Sequence, residues 1–367
     1  MELIGRPWAR GTTRKNRAAV LARRVVPTCP ATCAGNTSHQ AFVPPEQALL
    51  AARERAAPDE RSAVQGPLRI EHIEVGSPSP MAERPAQPPS DDLGATTRDV
   101  TASGVRLRVV ERGRGPKLVL LHSLFVDHST WNAVAAELAR DYCVITPDLP
   151  GYGESEKPAP SRFAYDVDAF TSAIADLYAA LSLGRAAVIG HGLGGAIALT
   201  LAARHPELVS ELVVVDALAD GAKPWLYGRL AHLPLAGSLV FKQLLGRRLF
   251  GAYFRELFLA DGAAISNARL DVYYESFNTP AARGSALATL RATVDTRPVA
   301  AQTSRIQTRA LVLWGHQDRL LPVSVGQRLA REIRGARFEL LDAGHAPQEE
   351  RPRELADAVR RFLREAR

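Results

Sequence analysis

The residues that most constrain the chemistry of this chain lie between Gly190 and Gly195. The run Ala186-Ala-Val-Ile-Gly190-His191-Gly192-Leu193-Gly194-Gly195 reads as a buried strand, a sharp glycine-lined turn and the start of a small-residue helix. That is the context of a nucleophile elbow, where G-x-S-x-G presents a serine Oγ above the end of a sheet. Gly192 stands at the serine position and brings no side chain. A hydroxyl, thiol or carboxylate there ordinarily forms a covalent intermediate, and glycine cannot. The same stretch is also a literal Gly190-x-Gly192-x-x-Gly195, with Asp216 placed 21 positions beyond Gly195. That offset suits the ribose-binding acid of a dinucleotide fold. Such a fingerprint normally opens the first strand of its sheet, whereas three or four strands precede this one.

The elements that must position this turn follow from hydrophobic periodicity. Thr97–Ala102 and Val105–Glu111 alternate like an antiparallel hairpin, and Lys117–His122 is a continuous apolar strand of the kind buried on both faces. The pattern continues as helix Thr130–Arg140, strand Tyr142–Thr146, helix Val167–Leu181, strand Ala186–His191, helix Leu193–Arg204 and strand Glu211–Asp216. After a gap it resumes as strand Arg309–Gly315, helix Val323–Ile333, strand Ala336–Leu341 and helix Arg351–Arg364. Buried strands alternating with helices predict an α/β fold with a doubly wound, mostly parallel sheet and sites at the carboxyl ends of its strands. Residues 217–306 break the alternation with apolar and aromatic residues, among them Trp225, Tyr227, Phe241, Phe250, Tyr253, Phe254, Phe258, Tyr273, Tyr274 and Phe277. They predict a helical cap inserted after the sixth strand, with residues 96–216 and 307–367 as the core. Packing of cap on core accounts for most of those aromatics.

Five segments fall at strand ends in a fixed order: His122-Ser123-Leu124-Phe125, Asp148 to Ser155, Gly190 to Gly195, Gly315-His316-Gln317-Asp318 and Ala343-Gly344-His345. Together they resemble the α/β-hydrolase superfamily, especially its small-cap epoxide hydrolase, haloalkane dehalogenase, lactonase and esterase members, over roughly residues 97–365. The resemblance implies that Asp318 orients His345, fixing its tautomer and stabilising the imidazolium. It further implies an oxyanion hole from the backbone N–H groups of Leu193 and Leu124, reinforced by the positive end of the helix that begins at Leu193. His122, Ser123, His191 and Asp216 support the site.

Two positions depart from the pattern. Most relatives carry His-Gly where this chain has His122-Ser123, and Gly192 replaces the nucleophile. Ser123 reads either as a rescuing nucleophile or as a loop-closing serine. Asp216 reads either as a substitute acid or as a structural residue at the cap hinge. His122 and Asp148 hold loops, His316 is exposed or structural, and Cys143 is an inert buried thiol. A water is expected in the space above Gly192. No metal and no cofactor are implied, because the nine histidines lack any ligand spacing such as H-E-x-x-H.

Composition bounds the rest. The 367 residues are 46% hydrophobic and 23% charged, which suits a globular chain with a sizeable core. Of the net charge of +7, residues 1–80 carry 11 basic against 7 acidic side chains. The remainder is nearly balanced and has no basic stripe, which argues against nucleic acid. No apolar run reaches the ~20 residues that cross a bilayer, and no secretory h-region is visible. Three cysteines (Cys29, Cys33, Cys143) make no disulfide framework, and a cytoplasmic setting is expected. Residues 1–95 show little period; a short helix at Ala48–Ala56 and a strand at Leu68–Val75 are the exceptions. Met81, the second of two methionines, marks either the translation start or the end of a disordered extension. Three functions remain open: a hydrolase-like enzyme working on a small apolar ester or lactone through a His-Asp dyad, an inactive small-molecule binder, and an interaction scaffold. Leu226, Leu230, Leu233 and Leu235 favour an apolar small molecule. Oligomeric state is left open.

Overall fold

A computed structural model describes residues 94–219, 246–262 and 265–365. The readings made for residues 1–93, including Cys29, Cys33, Met81 and the two short elements, lie outside the described residues, as do those for Trp225, Leu226, Tyr227, Leu230, Leu233, Leu235 and Phe241.

Strands β1 (Thr96–Ala102) and β2 (Val105–Arg112) form the predicted antiparallel hairpin. Ser103 and Gly104 turn it with φ of 49° and 69°, the paired positive φ that a two-residue turn requires. The sheet continues with β3 (Lys117–Leu121), β4 (Cys143–Pro147), β5 (Ala186–His191), β6 (Val209–Val215), β7 (Ala310–Gly315) and β8 (Arg337–Leu341). Its strand order is β1-β2-β4-β3-β5-β6-β7-β8. β2 meets β4 antiparallel, and every later pairing is parallel.

Every residue of β5 and β7 is buried, as expected for strands covered on both faces. Successive side chains go to opposite faces. Val119, Leu121, Val188, Val214 and Val312 meet one helical layer, while Leu118, Leu120, Ile189, Val213 and Leu311 meet the other. The first layer contains α2 (Val167–Ala180), capped by Asp166, and α3 (Leu193–Arg204). On the opposite face lies α1 (Asn132–Leu138).

The helix predicted over Thr130–Arg140 differs at its start. The Asp127 carboxylate caps the amide of Ser129, and His128–Trp131 winds as a 3-10 turn before α1 begins.

Between β6 and β7 the described insertion is helical, as predicted. It comprises α4 (Arg247–Tyr253), a π-helical turn (Phe254–Phe258), α5 (Asn267–Phe277), α6 (Pro280–Thr293) and α7 (Arg297–Thr303). Its aromatics form a core of their own around Phe250, Phe254, Phe258, Tyr273 and Phe277. Two hydroxyl contacts tie it to the main body, Tyr152 Oη to Thr289 Oγ1 and Tyr165 Oη with Ser285 Oγ, both 2.8 Å. α7 packs against α3 of the main body. Helices α8 (Val323–Glu332), α9 (Pro347–Glu350) and α10 (Pro352–Arg364) complete the chain. Pro352 at the first position of α10 explains why that helix starts one residue later than Arg351, since proline suits a helix start.

Candidate active site

Strand register brings the elbow and the β3 loop together. Leu121 of β3 pairs with Gly190 of β5, and parallel neighbours run about 4.8 Å apart. Two residues further along, Ser123 and Gly192 therefore leave the sheet side by side, although they are 69 positions apart.

Gly192 keeps the bent elbow backbone, at φ 53° and ψ −112°, a region that side-chain-bearing residues adopt only under strain. A Cβ built on Gly192 would lie 2.1 Å from Ser123 Oγ, 2.9 Å from Ser123 Cβ and 3.6 Å from His345 Nε2. The Ser123 hydroxyl thus stands where the sequence reading put a water. It also accepts a hydrogen bond from the Leu193 amide at 3.3 Å.

His345 enters from the loop after β8. Its Nδ1 lies 2.7 Å from Asp318 Oδ2, and the Asp318 side chain is fully buried. The other oxygen of Asp318 accepts the amides of Leu320 and Leu321 at 2.7 and 2.8 Å. Those bonds fix the carboxylate in orientation, with Oδ2 turned to the ring. Nδ1 of His345 is then the protonated nitrogen, and Nε2 presents its lone pair near the elbow. Close approach of the two loops requires Gly315 at the end of β7, because a Cβ there would fall 1.8 Å from the Gly344 carbonyl oxygen.

Asp216 sits at the end of β6 with φ 44° and is completely buried. Its Oδ1 accepts the Gly315 amide at 2.8 Å, while Oδ2 has no partner as an ionised group. Burial, followed by the negative charge of Asp318, pushes its carboxyl well above the usual range. A protonated Asp216 can donate to Asp318, whose carboxylate is close by: one oxygen of each acid and a His345 nitrogen all lie within 4.8 Å of one another.

Two further histidines brace the site. His191 Nδ1 accepts from Gln348 Nε2 at 3.1 Å, so its Nε2 carries the proton and donates to the His345 carbonyl at 2.6 Å. Complete burial, then the nearby His345, lowers its pKa well below the ordinary histidine value. His122 Nδ1 donates to the Ser123 carbonyl at 2.8 Å, and its Nε2 accepts the Leu149 amide at 2.9 Å. Burial likewise lowers the His122 pKa. Asp148 holds the amides of His128 and Glu154 at 2.8 and 2.7 Å. His316 is exposed.

Leu124 is half-buried on the β3 loop. The next residue, Phe125, takes φ 63° and sets its ring against Phe250, Tyr253 and Phe277 of the insertion. Sequence reasoning assigned no site role to Phe258 or Gln348. Phe258 accepts the His345 amide at 2.9 Å and meets the imidazole edge-on at 5.1 Å between centroids. Neither contact leaves a periodic signal; both arise where the loop after β8 meets the π-helical turn of the insertion.

The dinucleotide reading loses its acid, because Asp216 is buried beneath the β7 loop and bonded to Gly315 rather than free beside the glycine turn. Among the described residues, Asp127-His128-Asp148 and Asp216-Asp318-His345 bring potential metal-ligand atoms close together. In each group the histidine is bonded to one of the carboxylates, His128 to Asp148 and His345 to Asp318. No described helix is long and apolar enough to cross a membrane.

This arrangement of sheet, elbow and histidine loop matches known proteins. A sequence profile described as the α/β hydrolase fold covers residues 116–352, and the chain belongs to that family. It is 30% identical to a 2-hydroxymuconate semialdehyde hydrolase of Pseudomonas sp. (strain CF600), over 73% of this chain and 94% of the relative. Identity to a pimeloyl-[acyl-carrier protein] methyl ester esterase of Chromobacterium violaceum is 34%, over 66% of this chain and 92% of the relative. Among solved structures, the enol-lactonase from Burkholderia xenovorans LB400 superposes with a TM-score of 0.63 at 26% identity, covering 73% of this chain and 100% of that one.

Proposed function

We propose that this protein hydrolyses a small apolar ester or lactone, with His345 as general base and the backbone N–H groups of Leu193 and Leu124 as oxyanion donors. One observation carries the reading: His345 Nε2 lies 3.6 Å from the point where an elbow side chain would begin, while Asp318 holds its other nitrogen at 2.7 Å. A histidine so placed can take a proton from the attacking group and return it to the leaving oxygen.

The start of α3 contributes positive potential where the tetrahedral intermediate becomes negative. Phe125 and Phe258 give the surroundings an apolar character. The His345 side chain is only 7% exposed, so proton transfer takes place largely out of bulk water, where fixed dipoles act strongly. The esterase and the enol-lactonase to which the chain is similar support the substrate class by their names.

The bare Gly192 favours a second reading, a binding protein that turns nothing over. One assay separates the two: a panel of activated esters and lactones presented to the wild type and to His345→Ala. The enzymatic reading expects hydrolysis by the wild type and a loss of about 10²–10⁴-fold in the variant. Equal rates in both proteins leave only the binder.

A further inference from the structure

We infer that Ser123, on the loop after β3, has taken over the nucleophile's role that Gly192 cannot perform. This rests on the proposed hydrolase reading and supplies the reacting atom that it lacks.

Three observations bear on the Ser123 hydroxyl. The first is volume: Oγ lies 2.1 Å and Cβ 2.9 Å from the point a Cβ on residue 192 would occupy. Separations below about 3 Å between such atoms do not persist, so an ordinary elbow nucleophile and Ser123 in its present rotamer exclude each other. Glycine at 192 and serine at 123 form a matched pair.

The second is the donor beside it. Leu193 N–H, the amide that follows the elbow, points at Ser123 Oγ from 3.3 Å. That amide holds Oγ at rest and passes to the substrate's carbonyl oxygen as Oγ attacks, the role given to it above. It belongs to the first turn of a twelve-residue helix, whose dipole acts in the same sense.

The third is the base. His345 Nε2 lies 3.6 Å from that same vacated Cβ point, and its orientation is set from behind by Asp318. The ring is not bonded to Oγ at rest, so the Ser123 side chain turns toward it as substrate binds. The Ser123 backbone is itself held, because its carbonyl accepts from His122 Nδ1 at 2.8 Å. His122 in turn binds the amide of Leu149.

The step balances as an acyl transfer. Ser123 Oγ passes its proton to His345 Nε2 and forms a bond to the acyl carbon, while the carbonyl π pair moves onto oxygen as the oxyanion. Collapse of that intermediate breaks the bond to the leaving alkoxide, which takes the proton from His345; in a lactone the alcohol remains tethered to the acyl group. Water then gives a proton to His345 and its oxygen to the acyl carbon. The carboxylic acid departs as Ser123 Oγ regains a proton.

A fluorophosphonate probe tests this directly, since its phosphorus accepts Oγ as fluoride leaves. The full chain is labelled, digested and mapped by mass spectrometry, alongside Ser123→Ala and His345→Ala checked for folding by circular dichroism. The expected result is a label on the peptide carrying Ser123, absent from both variants. A fall of about 10³-fold or more in ester turnover is expected for Ser123→Ala. A folded wild type that takes no label, or takes it on another residue, overturns the assignment. So does Ser123→Ala with near wild-type turnover; if His345→Ala is inactive in that same experiment, the hydrolase reading survives with water as its nucleophile.

Discussion

The competition between positions 123 and 192 for one space can be measured as a coupling energy. Gly192→Ser forces a side chain onto a backbone at φ 53°, which costs roughly 1–2 kcal/mol. It also drives the new Cβ to 2.1 Å from Ser123 Oγ, and overpacking of that kind costs roughly 1–3 kcal/mol. Ser123→Gly alone loses the bond from Leu193, worth about 1 kcal/mol. In the double variant the overlap is gone and the introduced hydroxyl can reach the same amide, so only the backbone strain of about 1–2 kcal/mol remains. The cycle therefore predicts a favourable coupling of about 2–4 kcal/mol between the two substitutions, the relieved overlap plus the recovered bond. Thermal melts followed by circular dichroism on all four proteins would read it, at about 2–4 °C per kcal/mol for a domain of this class. The double variant should melt above Gly192→Ser and should carry a fluorophosphonate label on the introduced serine. Strictly additive melting shifts would refute the reasoning, because they would mean that the two side chains never contest one volume.

Two further outcomes follow from the buried polar groups. Asp216 has a folded-state pKa raised above the ordinary 3.8, so between about pH 4 and that higher value the native state binds more protons than the unfolded chain. Native stability then falls as pH rises through that window. Asp216→Asn removes the titration and preserves a donor toward Asp318. Its urea midpoint should gain on the wild type as pH rises, by no more than about 1.4 kcal/mol per unit; a difference that is flat with pH would exclude the protonated acid. Gln348→Leu leaves His191 Nδ1 buried without its donor, at a cost of about 1–3 kcal/mol. Calorimetry should show a melting point lower by several degrees, and an unchanged one would mean that His191 does not depend on this amide.

Much of the architecture could be read from local patterning. Continuous apolar runs such as Lys-Leu-Val-Leu-Leu at Lys117–Leu121 announce strands covered on both faces, and the order of loop motifs placed the elbow, Asp318 and His345 at strand ends. What stayed hidden depends on pairing between distant segments. Nothing near Ser123 in sequence signals that it faces Gly192; the match of Leu121 with Gly190 does that. The two acids looked like alternatives when read singly, yet β6 and β7 run side by side and deliver both to one histidine. The 3-10 start at His128–Trp131 escaped because apolar period alone cannot distinguish a tight turn from the first turn of an α-helix. Gln348 carries no signal of its burial, because a polar residue in a short helix reads as solvent-facing until its neighbours close over it.

Phe125 connects two parts of the molecule that the sequence treats separately. It is the neighbour of Leu124, and its ring is clasped by Phe250, Tyr253 and Phe277 from beyond β6. Close-packed rings transmit displacement rather than absorb it. A displacement of α4 or α5 is therefore handed by one ring to the peptide segment bearing Leu124, so the insertion and the loop after β3 move as one mechanical piece.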